Sequence, residues 1–115
     1  MQLEKCKEYT LSEIISFFKS GDNPLGQDFC LYSKDPDDEL SHDQSCYIDD
    51  YPGGDDDGNY IFPDFIQVNN LELIYYGEQF IDVITNINHQ VKNPDIILII
   101  KALNYYMDND DFLKV

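Results

Sequence analysis

Apolar residues recur at helical spacing near the N-terminus, where Leu11, Ile14, Ile15 and Phe18 fall on one face of residues 11–20. Thr10 before this stripe and Glu13 three positions on form a capping box, and Gly21 supplies a stop. A turn at residues 21–24 leads to a short strand over residues 29–33, in which Phe29, Leu31 and Ser33 face opposite to Cys30 and Tyr32. Further on, Cys46-Tyr47-Ile48 reads as a strand, as do Tyr60-Ile61-Phe62, Phe65-Ile66-Gln67-Val68 and residues 71–76, with Pro63 interrupting the middle pieces. Residues 78–89 carry Phe80, Ile84 and Ile87, followed by Val91, along one side of a helix. Asn93-Pro94-Asp95 is a start signal for a last helix over residues 95–107, where Ile96, Ile99, Ile100, Leu103 and Met107 keep the helical period. The run Ile96 to Ile100 also suits a buried strand, and capping and length favour the helix. The pattern predicts one α+β domain over residues 1–115, a small antiparallel sheet covered by an N-terminal helix and two C-terminal helices.

Charge changes the picture. The 115 residues hold 23 Asp plus Glu against seven Lys and no Arg, a formal net charge of -16. A repulsive field without guanidinium groups argues against binding nucleic acid or an anionic membrane and points to a basic partner. With 43% apolar residues, nine Tyr and seven Phe, the chain is too rich in large hydrophobic side chains to be a disordered acidic tail. Cys6, Cys30 and Cys46 are widely spaced and odd in number, which fits reduced thiols and neither a disulfide framework nor a zinc site. No basic N-terminal region is coupled to an apolar stretch and the longest apolar run is short, so the cytoplasm is the expected location.

Residues 35–64 concentrate the acids, without Lys or Arg, and interleave them with Tyr47, Tyr51, Tyr60 and Phe62. Rigid aromatic side chains flanked by carboxylates suit a surface that meets Lys or Arg on a partner. The expected contact set is Asp35, Asp37, Asp38, Glu39, Asp49, Asp50, Tyr51, Asp55, Asp56, Asp57 and Tyr60. A calcium loop is a poorer reading: with Gly58 aligned on the invariant glycine of an EF-hand, Gly53 takes the first ligand position and Asp64 replaces the bidentate Glu. His42 and His89 lie in no nucleophile or metal-ligand motif, and no glycine-rich phosphate loop is present, so no enzyme and no cofactor are expected.

Residues 77–86 (Gly-Glu-Gln-Phe-Ile-Asp-Val-Ile-Thr-Asn), Ala102-Leu103-Asn104-Tyr105-Tyr106 and Asn109-Asp110-Asp111-Phe112 resemble immunity proteins of contact-dependent growth inhibition and related polymorphic toxin systems, a group of small acidic bacterial proteins. A looser similarity extends over residues 29–38. The resemblance implies a cytoplasmic inhibitor that binds a cognate toxin domain, commonly a basic nuclease, and blocks its active site or substrate path. It transfers no contact residues. The alternative of another class is a DNA-mimic inhibitor of a restriction or other DNA-binding protein, with carboxylates standing in for phosphates.

Overall fold

The computed structural model describes residues 3–19, 28–34 and 39–115. Ser20, the Gly21 stop, the turn at 21–24 and three members of the expected contact set, Asp35, Asp37 and Asp38, lie outside them. Elements follow in the order β1 (Glu8–Thr10), α1 (Leu11–Lys19), β2 (Cys30–Ser33), β3 (Ser45–Asp49), β4 (Gly53–Gly54), β5 (Tyr60–Ile61), α2 (Asp64–Val68), β6 (Glu72–Tyr76), α3 (Gly77–Gln90) and α4 (Ile96–Asn109). The fold is α+β, with a four-stranded antiparallel sheet in the order β1-β3-β2-β6 and a separate two-stranded ribbon of β4 and β5.

Strand β2 is the centre of the molecule. Its four residues are all buried, which only a strand covered on both faces achieves. Side-chain alternation sends Leu31, with the preceding Phe29, into the larger core and Cys30 and Tyr32 into a smaller one on the other face. The larger core is closed by α1, α3 and α4. Leu11, Ile14, Ile15 and Phe18 of α1 are buried as the stripe requires, and Phe18 stacks on Phe29 at 5.2 Å between ring centroids. Glu13 Oε1 accepts from Thr10 N at 2.9 Å while Thr10 Oγ1 accepts from Glu13 N at 3.2 Å, completing the capping box. On α4 the buried side chains are Ile99, Ile100, Ala102 and Leu103. The Asn104 amide reaches the 39–44 loop, accepting from Leu40 N at 2.7 Å and donating to Leu40 O at 3.2 Å.

The smaller core is closed by α2, where residues 65–68 were expected to form a strand. Pro63 O accepts from Ile66 N at 3.0 Å and from Gln67 N at 3.1 Å, starting one helical turn that drives Ile66 against Cys30, Tyr32 and Leu71. The strand preference of a Phe-Ile-Gln-Val run spans only ~1 kcal/mol, whereas full burial of an Ile side chain contributes ~1.5–3 kcal/mol, so packing decides the outcome. Two further expectations are corrected. Met107 leaves the buried stripe of α4 and is 44% exposed. The cap of α4 is Asp95, whose carboxylate accepts from Leu98 N, and Asn93 instead takes a left-handed turn conformation at φ 53°. No helix among the described residues is long and apolar enough to cross a membrane.

Candidate functional site

Where β3 leaves the sheet, its last residue and the next one separate in role. Asp49 is 5% exposed, with one carboxylate oxygen accepting from Asp50 N at 2.8 Å and the other facing Cys6 Sγ at 3.5 Å. The chain before β1 folds over this end of β3, with Cys6 N donating to Ile48 O at 2.8 Å and Cys6 in a left-handed conformation at φ 65°. Asp49 is therefore an internal acceptor, which removes it from the expected exposed set. Asp50 points outward and pairs with Lys5, whose ammonium group it holds above its ordinary pKa by hydrogen bonding. The Asp50 carbonyl accepts from the buried Tyr32 hydroxyl at 2.7 Å, which fixes the backbone just before Tyr51.

From that fixed point three tyrosines form a tier on the surface. The Tyr51 ring stacks on Tyr76 at 5.9 Å and 14°, and its hydroxyl accepts from Glu78 N at 3.1 Å, capping the first turn of α3. The Tyr76 and Tyr60 hydroxyls lie 3.0 Å apart, and this hydrogen bond is the main reason the Tyr76 hydroxyl is held above its ordinary pKa. Phe62 packs on Tyr60 at 5.9 Å and on the buried Tyr32 at 6.3 Å, anchoring the tier to the smaller core. Tyr51, Tyr60 and Ile61 remain 36%, 62% and 50% exposed.

The β4–β5 ribbon carries Asp55, Asp56 and Asp57 at its turn, all exposed. Asp55 Oδ1 accepts from Asp57 N at 2.9 Å and Asn59 N at 2.8 Å, and these bonds, that from Asn59 foremost, hold its carboxyl below the usual range. Gly58 supplies the positive φ of 82° that closes the turn. The Asp55 bonds brace the turn between β4 and β5. Among the described residues no three His, Cys, Asp or Glu side chains are placed to hold a metal ion.

The structure thus brings together Asp50, Tyr51 and Tyr60, with the Asp55–Asp57 turn carried on the same ribbon as Tyr60, and leaves Glu39 elsewhere, exposed before Leu40. It adds Tyr76, Ile61 and Glu78. A signal for Tyr76 was present in the sequence: Tyr75 and Tyr76 are adjacent on a strand and must face opposite ways, and Tyr75 takes the larger core, its hydroxyl donating to Leu103 O at 2.8 Å. No curated protein and no solved structure matches the chain. Residues 8–115 match the domain of unknown function DUF7716, and the chain belongs to that family.

Proposed function

We propose that the protein is an immunity-type inhibitor that binds a basic toxin domain, most simply a nuclease, and neutralises it by occupying its cationic surface without catalysis of its own. The observation that carries this reading is the exposed Tyr51–Tyr76–Tyr60 tier with Ile61, accompanied by Asp50, Asp55, Asp56, Asp57 and Glu78. Aromatic and apolar surface at the centre supplies desolvated contact area, while surrounding carboxylates steer a cationic partner and fix its register. A net charge of -16 extends that steering over the whole molecule.

The test is capture of partners by the purified protein from lysate of its source strain at low and moderate salt, followed by assay of the captured domain. Recovery of one basic toxin domain whose activity is lost on binding supports the proposal. Recovery of general DNA-handling proteins favours the DNA-mimic alternative instead. With a partner in hand, Tyr60→Ala should speed dissociation by about 30-fold, the effect of losing a central anchor worth ~2 kcal/mol. Combined Asp55, Asp56 and Asp57 to Asn changes should slow association and flatten its salt dependence. Unchanged rates in both variants would place the interface elsewhere.

A further inference from the structure

Residues 53–71, which hold the β4–β5 ribbon and α2, leave the four-stranded sheet after β3 and rejoin it at β6. The ribbon shares no ladder with that sheet. The bonds around α2 close on the segment itself, Gln67 Nε2 donating to Phe62 O at 2.7 Å, Asn69 Nδ2 to Phe65 O at 2.8 Å and Leu71 N to Ile66 O at 3.0 Å. The Asp55 carboxylate likewise serves its own turn. Among the described residues a single side-chain hydrogen bond crosses from the segment to the rest of the protein, between the Tyr60 and Tyr76 hydroxyls at 3.0 Å.

Packing holds the segment down at few points. Its ribbon is exposed throughout, and its buried residues are Ile66 and Leu71, both in the smaller core with Cys30 and Tyr32. Ring contacts add to them, Phe62 on Tyr32 at 6.3 Å and Phe65 on Tyr47 at 5.7 Å between centroids. The segment begins at Gly53-Gly54 and ends beside Asn70, which stands in the left-handed region at φ 53°, so residues with wide backbone freedom sit at both ends. The larger core lies on the other face of β2, closed by α1, α3 and α4, and takes nothing from residues 53–71.

We propose that residues 53–71 are a flap that opens as one unit, uncovering Cys30 and Tyr32 while the four-stranded sheet and the larger core stay folded. Opening breaks the Tyr60–Tyr76 bond, the ring contacts and the burial of Ile66 and Leu71, and leaves the ladders between β1, β3, β2 and β6 in place. The hinge is independent of what the surface binds. On the reading proposed above, on which this consequence rests, it also regulates that surface. Tyr60 and the Asp55–Asp57 turn ride on the flap, whereas Tyr51 stays stacked on Tyr76 and bonded to Glu78 N. The tier is therefore whole only in the closed form, and affinity scales with the population of that form.

The thiols report the two cores separately, with Cys30 under the flap, Cys46 in the larger core and the exposed Cys6 as an unprotected reference. The intact protein is labelled with iodoacetamide across a urea series below the unfolding transition, and each cysteine is read by peptide mass spectrometry. Cys30 should react about tenfold or more faster than Cys46, with a shallower dependence on urea because less surface opens. Ile14→Val loosens the larger core alone, so it should raise the Cys46 rate about threefold to tenfold and leave the Cys30 rate unchanged. Tyr60→Phe removes the crossing bond and keeps the ring, and should raise the Cys30 rate about threefold to tenfold. A shared urea slope for Cys30 and Cys46, an equal response of both to Ile14→Val, or a Cys30 rate unaffected by Tyr60→Phe would each overturn the proposal. None of these readouts involves a partner, so the flap can fail while the inhibitor reading stands, and the reverse.

Discussion

Gly77 has no room for a side chain. A Cβ there would lie 2.2 Å from the Phe29 carbonyl oxygen and 3.0 Å from two atoms of its ring. Both obstacles are held in the core, so neither can yield cheaply. Gly77→Ala should cost about 3 kcal/mol, read as a lowered urea midpoint, whereas Gly54→Ala, with nothing within 4 Å of the added carbon, should be near neutral. Equal effects would mean that α3 does not approach Phe29 so closely. Asp49 shows the opposite relation between residue and site. By composition it belongs with its acidic neighbours, yet an amide and a thiol supply its partners inside the protein. Nothing in an Asp-Asp pair shows which member turns inward; that depends on residues more than forty positions earlier.

At the scale of elements, the two helix starts separate what pattern fixes from what packing fixes. Asp95→Ala should cost about 1 kcal/mol by removing the acceptor for Leu98 N, while Asn93→Gly, at φ 53°, should cost nothing or stabilise. Comparable losses in thermal unfolding would contradict this assignment of the cap. α1, α3 and α4 were legible because each presents several apolar residues at one period, and α1 and α4 also begin at a capping residue. β1 and α2 were not. Three residues of β1 hold no period, and their strand state comes from pairing with Ser45, Cys46 and Tyr47. α2 is a single turn whose direction is set by the smaller core beneath it. The candidate site was half legible for the same reason: its tyrosines and acids stood out in the sequence, but the stacking of Tyr51 on Tyr76 joins residues from distant elements.

For the whole molecule, burial of titratable groups sets an alkaline limit. Burial pushes the Cys30 thiol up to about 11 and the Cys46 thiol up to about 12, and raises the Tyr32 and Tyr75 hydroxyls as well. The folded chain therefore retains these protons to higher pH than the unfolded chain does. Their contribution is complete below the ordinary thiol range near 9 and is lost as pH rises toward 11–12. The urea midpoint should fall between about pH 8 and about pH 10.5, and Cys46→Ala should flatten that slope while lowering the midpoint at pH 8 through lost packing. A midpoint independent of pH over this interval would contradict it. Tyr76 carries a different consequence, because one face of its ring packs with the smaller core while its hydroxyl and stacking partner lie at the surface. Substitutions at the buried Tyr32 or Leu71 would tilt that ring and imitate interface mutations in an affinity screen. Only variants scored for folding and for binding side by side would separate contact residues from the floor that supports them.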